Sequence, residues 1–244
     1  VLDLSPLDLV ALAWFGIAWV GYSLVVREAT RRGRCLSAAM DEQRRRWMRT
    51  MLRRDLRMID TAIMAGLQNG TAFFASTALL AIGGGFALLG STDQVYGVFR
   101  DLALEEEIPR GVFEFKALGL TAMFIYGFFK FAWSYRLFNY ATIFLGAVPG
   151  AAHAHDPETI AAADRAGEFT VAAGRHFNHG LRSFFFALGY LGWFVNAWFF
   201  IAATALVFAV LVHRQFFSIS ARIALAALNA PPVPPAPPQQ PRAT

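Results

Sequence analysis

Cysteine is all but missing from these 244 residues: Cys35 stands alone, which excludes an intrachain disulfide and any multi-cysteine metal site. Charge is scarce too, at 16% of residues where a soluble domain carries about a quarter. Lysine is nearly absent, with Lys116 and Lys130 the only two among 22 basic residues; that preference for arginine, with the abundant alanine, suggests a GC-rich bacterial genome. No HExxH, GxSxG or P-loop pattern occurs, nor a cysteine and histidine pair with a nucleophile signature, so nothing points to an enzyme or to a cofactor. Gly83-Gly84-Gly85 is not a dinucleotide fingerprint, because Leu88 stands where the third spaced glycine belongs.

What the chain has instead is long uncharged apolar runs. Apolar residues make up 56% of it, aromatics 15% with 24 phenylalanines, and the mean hydropathy is +0.43. A helix needs about 20 apolar residues to cross the hydrocarbon core. Four segments qualify: 9–26, 61–89, 112–133 and 183–212. The expected fold class is therefore all-α, an integral membrane helical bundle of about four transmembrane helices with cytoplasmic helical extensions, filling residues 1–230 as one domain. Residues 231–244 hold most of the eleven prolines and read as a disordered or polyproline-like tail. The first run reads as a retained span rather than a signal peptide, since Asp3 and Asp8 stand where a basic leader would be.

Arginine placement orients the bundle. Eleven arginines lie between Arg27 and Asp60 and four more between Arg136 and Arg182, against six basic residues on the opposite side. The expectation is a bacterial inner (plasma) membrane protein with its N-terminus and its acidic Asp93 to Glu114 loop outside and its Arg-rich loops in the cytoplasm. Four spans would also put the C-terminus outside. The net charge of +5 thereby becomes topological information rather than a nucleic-acid footprint, and the lipid bilayer is the partner it implies, with no nucleic acid.

Between the spans, Leu36 to Asp60 reads as helix, with Leu36, Met40, Trp47, Met51 and Met58 at helical spacings. Its arginines could lie on anionic lipid or pack on a cytoplasmic bundle. Asp156-Pro157-Glu158 reads as a helix start. Continued at about 100° per residue, that helix aligns Asp164, Glu168, Arg175, His179 and Arg182 in one stripe, with Ala173, Phe177, Leu181 and Phe184 on another face. Leu137 to Val148 is apolar but too short to span upright, so it re-enters the membrane or lies on it. Phe216 to Leu228 suggests a short interfacial helix.

Lys130 is the costliest residue at membrane depth, one that either snorkels to the interface or lines a pathway. Arg136, Asn139 and Tyr140 follow it at helical spacings. With Arg175, His179 and Arg182 they make the candidate polar seam or pathway lining. Gln68, Asn69 and Asn196 are neutral polar residues within other spans. Ala62, Gly66 and Gly70 recur at four-residue steps and would let another helix approach closely, within the chain or in a homo-oligomer; a protein partner stays unknown. The pairs His153/His155 and His176/His179 lack the further ligands that zinc wants, so no metal is assigned.

Four segments occur in order: Arg53-Arg54-Asp55-Leu56-Arg57; Phe73-Phe74-Ala75-Ser76-Thr77 with the triple glycine; Lys130-Phe131-Ala132-Trp133-Ser134-Tyr135-Arg136 leading to Asn139-Tyr140; and His176-Phe177-Asn178-His179-Gly180-Leu181-Arg182. Together they resemble the bacterial family catalogued as domain of unknown function 599, over most of the chain and short of the Pro-rich tail. The resemblance implies a multi-pass membrane protein without an established activity, and makes Lys130 to Tyr140 and His176 to Arg182 the stretches of first interest. Two functions are compatible with this reading. One is a small pore or transport-related protein with a basic cytoplasmic vestibule lined by Lys130, Arg136, Asn139, His179 and Arg182. The other is a scaffold or assembly protein that holds a partner through helix faces or the Arg-rich helix.

Overall fold

The computed structural model describes residues 4–90 and 109–229; most of the acidic loop and all of the Pro-rich tail lie outside the described residues. Within them the chain is helical, with no strand. Helix α1 (Pro6–Arg31) has a capping box: Ser5 Oγ accepts the Asp8 N–H and the Asp8 carboxylate accepts the Ser5 N–H, each at 3.1 Å. Pro6 takes a first-turn position where no N–H is needed. The helix closes on Gly33 at φ +68°, with the Arg34 N–H reaching Ala29 O and the Gly33 N–H reaching Thr30 O. Glycine takes that left-handed conformation without a Cβ penalty.

There follow α2 (Leu36–Met51), α3 (Met58–Gly90), α4 (Arg110–Ala147), α5 (Pro157–Tyr190), α6 (Ala197–Val212) and α7 (Ile219–Asn229). Helices α1, α3, α4 and the run Ala197–Leu228 are long and apolar enough to cross a membrane. At 38 residues α4 outruns a hydrocarbon core of about 30 Å, since it rises about 57 Å. Its last turns are the apolar stretch Leu137 to Val148, which continues α4 to Ala147 instead of forming a segment of its own. Leu137, Phe138, Ala141 and Leu145 are buried in a cluster with Met48 and Met51 of α2, Met64 of α3 and Ala163 and Ala166 of α5.

The run 183–212, expected as one span, is two helices. Helix α5 ends at Tyr190, a 3-10 turn covers Leu191–Phe194, and Asn196 opens α6, its Oδ1 accepting the Phe199 N–H at 2.7 Å. Charge does not mark this turn, because it lies in an aromatic setting; two glycines do. A Cβ on Gly192 would meet Phe199 O at 3.0 Å, and one on Gly189 would meet the Thr204 backbone at 3.4 Å. Helix α6 thus doubles back along α5. After a π-helical turn at His213–Phe217, α7 lands beside α2: Arg46 donates to the Ala227 and Leu228 carbonyls at 2.8 and 2.9 Å, and Gln215 donates to Ser37 Oγ at 2.8 Å. Where four spans would carry the chain's end away from the Arg-rich segment, the last described helix lies at the Arg-rich end, and Arg214 and Arg222 belong there.

Aromatic packing fills the other half of the bundle. Phe15 meets Phe186, Tyr190 and Phe200 at centroid distances of 5.7, 5.5 and 5.3 Å, and Trp19 stacks on Phe186 at 5.4 Å. Such pairs contribute about 0.5–1.5 kcal/mol each beyond buried area. At the far end Trp193, fully buried, ties three helices: its Nε1 donates to Asp8 Oδ1 at 2.6 Å and its carbonyl accepts Lys116 Nζ at 2.8 Å.

Helix α2 differs from its expected form. It stops at Met51, and Met58 opens α3. Met40, expected on the apolar face, is exposed, and Asp41 turns inward instead. Arginine partners on two helices hold it there, as described next.

Candidate functional site: a basic cavity between three helices

The polar stripe of α5 is a docking seam in its first half. Arg49 Nε donates to Asp164 at 2.8 Å, Arg45 Nε to Glu168 at 2.6 Å, and Arg175 Nε to Asp41 Oδ2 at 2.8 Å. Of the α2 arginines, Arg45 and Arg49 are engaged on α5, Arg46 on α7, and Arg44 on Asp41 of α2 itself. Further along, the stripe opens on a half-open cavity of about 520 Å3 between α1, α2 and α5, a size typical of small-ligand sites, which run from about 300 to 1,000 Å3. Its walls are Ser23, Leu24, Arg27 and Arg31 of α1, Ser37 and Asp41 of α2, and Arg175, Asn178, His179 and Arg182 of α5. A side chamber of about 30 Å3 continues past Ser37, Asn178 and Arg182 to Tyr22, Arg214 and Gln215.

Four guanidiniums face this cavity against one carboxylate. Asp41, 3% exposed, is held by Arg175 and by Arg44 at 3.5 Å. Burial nevertheless pushes its carboxyl above the ordinary carboxylate value, against the pull of those arginines. Arg31 has Glu28 at 3.9 Å. Arg182 is the exceptional member. It is 8% exposed, its Nη1 donates to Ser23 Oγ at 2.8 Å, and its guanidinium lies 4.8 Å over the Tyr22 ring. Among the described residues no carboxylate pairs with it. Ser23 lies about 25 Å along α1 from Pro6 at 1.5 Å rise per residue, close to the far boundary of a hydrocarbon core of about 30 Å. Beyond Tyr22 the core is the Phe15, Trp19 and Phe186 cluster, so the cavity ends blind.

Of the seven expected seam residues the structure brings together three: Arg175, His179 and Arg182. Lys130 does not line the cavity: its ammonium lies 5.1 Å over the Tyr126 ring, within electrostatic reach of His179. Arg136 donates to the Tyr140 hydroxyl at 2.6 Å on the exposed side of α4. Asn139 Oδ1 accepts from Gln68 Nε2 at 2.7 Å, which ties α4 to α3. Asn69 is exposed and Asn196 caps α6, so the neutral polar residues do not converge. The residues missed are Ser23, Arg27 and Arg31, whose four-residue spacing puts them on one face of α1, together with Asp41 and Asn178. That spacing was available, but the arginines read as a topology signal.

Among the described residues the small-residue ladder packs against no other helix. Ala62, Gly66 and Gly70 are exposed, and a Cβ on either glycine would meet nothing within 4 Å. The close approach of α3 falls at Gly85, against Thr121 of α4. His153 bonds Asp156 at 2.9 Å, and the His176 and His179 rings are 6.3 Å apart. Among the described residues no group of three or more His, Cys, Asp or Glu side chains comes together.

Fold and cavity define an all-helical integral membrane bundle with an arginine-lined cleft near one end of its apolar core. The chain belongs to the family described as Protein of unknown function, DUF599, whose model matches residues 10–220. That match covers every helix that lines the cavity. No curated protein and no solved structure matches the chain.

Proposed function

We propose that the chain binds a phosphate-type anion in this cavity, as the cytoplasmic vestibule of a transport-related protein of the inner membrane. The observation that carries the reading is Arg182, a buried guanidinium with no carboxylate among the described residues, at the closed end of a basic cavity. Guanidinium N–H groups match phosphate oxygens in geometry and charge. The orientation is supported by arginine placement: Arg214 and Arg222 lie at the end that already carries most arginines, so that end faces the cytoplasm and the N-terminus faces outward. We do not infer an open pore through one chain, since the aromatic cluster closes the cavity on its far side. A scaffold reading has less support, because Arg44, Arg45, Arg46 and Arg49 are engaged within the chain.

The test is thermal unfolding of the full chain in detergent against rising inorganic pyrophosphate. Wild type should show a saturable rise that Arg182→Gln abolishes and Arg136→Gln, outside the cavity, leaves intact. A rise that persists in Arg182→Gln, or one that Arg136→Gln removes equally, overturns the proposal.

A further inference from the structure

We infer that the anion taken here is the phosphate of a membrane phospholipid that enters sideways from the bilayer, an inference that rests on the anion-binding reading above. The α1 wall of the cavity changes character along one face: Leu24, which lines the cavity and is 57% exposed, is followed three and seven residues on by Arg27 and Arg31, and Arg175 of α5 adds a further guanidinium to the lining. Leu24 follows Val20 by four residues and Ile17 by seven, so the three share a face of α1, and all three are exposed. The mouth therefore opens onto the outward apolar stripe of a membrane-crossing helix. A vestibule for a soluble anion gains nothing from an apolar lip. A phospholipid needs both the apolar and the basic part of this face: glycerol phosphate enters among the arginines while the acyl chains stay on the stripe.

Depth agrees with this. Counted from Pro6, about 30 Å of helix, the thickness of a hydrocarbon core, ends near Val26, which lines the cavity, so the arginines beyond it fall at the level of phospholipid phosphates. Above it the gap between α1 and α5 is closed by the Trp19 and Phe186 stack, so acyl chains are kept outside the bundle. At the closed end, Arg182 spends one Nη1 bond on Ser23 and has further N–H groups for phosphate oxygens. Asn178 and Ser37 stand beyond it as neutral partners for the hydroxyls of a glycerol headgroup.

The experiment reconstitutes the full chain in phosphatidylcholine vesicles containing a minor fraction of phosphatidylglycerol, then weighs gently solubilised protein by native mass spectrometry. Binding of soluble glycerol 3-phosphate is titrated in parallel. We expect phosphatidylglycerol retained on wild type, reduced about tenfold or more in Arg182→Gln and in Arg27→Gln. Arg27 is exposed, so its variant carries the test if Arg182→Gln fails to fold. Leu24→Gln alters the lip alone and should lower lipid retention several-fold while glycerol 3-phosphate binds as before; unchanged retention there would overturn lateral entry. Glycerol 3-phosphate binding that needs Arg182, with no lipid retained, overturns the lipid inference and leaves the anion site standing. If neither ligand binds, both fall.

Discussion

Asp41→Asn should tighten anion binding without weakening the fold. Among the described residues Asp41 is the one carboxylate on the cavity wall, so the substitution removes a negative charge and keeps the shape. A sphere of the cavity's volume has a radius of about 5 Å, which puts a centred anion about that far from the carboxylate. Repulsion at that distance is about 3 kcal/mol at an effective dielectric of 20 and under about 1 kcal/mol in bulk water. A half-open cavity lies between these limits, so affinity should rise about 5- to 100-fold. Stability should hold or rise slightly, because burial disfavours the charged carboxyl more than Arg175 and Arg44 favour it, and the Asn side-chain oxygen can still accept the 2.8 Å Arg175 bond. Burial holds the Asp41 carboxyl above the ordinary value, so wild type should show part of the same affinity gain as pH is lowered through it, and Asp41→Asn should not. The stability linkage has a definite sign. A carboxyl with a raised folded-state pKa holds its proton better in the folded chain, so its contribution favours the fold at low pH and is lost as pH rises through the folded value. Isothermal titration with inorganic pyrophosphate across pH, beside thermal unfolding, reads both quantities. An affinity that falls or stays level in Asp41→Asn would refute the placement of the anion among these arginines.

Two glycines on α5 offer a contrast. Gly180→Ala puts a Cβ 2.6 Å from Phe131 Cε1, on a buried ring already held by Phe74, Phe177 and Phe184. Overpacking of about 1–3 kcal/mol should outweigh a helix-propensity gain of about 1 kcal/mol. Gly174→Ala meets only the Arg44 guanidinium, also at 2.6 Å, at the end of a flexible side chain, so it should be neutral or stabilising. Equal shifts in unfolding temperature would contradict this packing. For orientation, a reporter active only in the cytoplasm and fused after Thr244 should be active, and one fused before Val1 inactive; the reverse pattern would invert the bundle.

Hydropathy alone located α1, α3 and most of α4, because burial in lipid imposes the same long uncharged run wherever a helix crosses. It could not find the turn at Leu191–Phe194, since the residues there are as apolar as the helices they join; the information lay in Gly189, Gly192 and Asn196, which act through close approach and capping rather than through polarity. The polar stripe of α5 was legible as a stripe from its helical spacing. What it faces was not, because Asp164, Glu168 and Arg175 find partners more than a hundred residues away in the sequence. Lys130, Arg136, Asn139 and Tyr140 lie on α4, which lends no residue to the cavity wall, and proximity in sequence stood in for proximity in space. Arg27 and Arg31 carried two meanings, topology and lining, and the first concealed the second.

Arg182 is hard to explain by stability alone. Taking a guanidinium out of water costs several kcal/mol unless charge and hydrogen bonds are both compensated. Here one hydroxyl and one aromatic ring compensate in part; of the neighbours along α5, Phe186 and Ala187 are apolar, and Asn178 and His179 are polar but carry no negative charge. A methionine at 182 could fill against Tyr22 without that cost, so a purely structural position would favour it. A bound anion changes the balance, since it supplies the missing negative charge and stabilises the folded chain in proportion to its occupancy. The arginine is then a cost to the empty bundle and a gain to the occupied one. That difference between the two states is what a binding site requires and what a packing position does not.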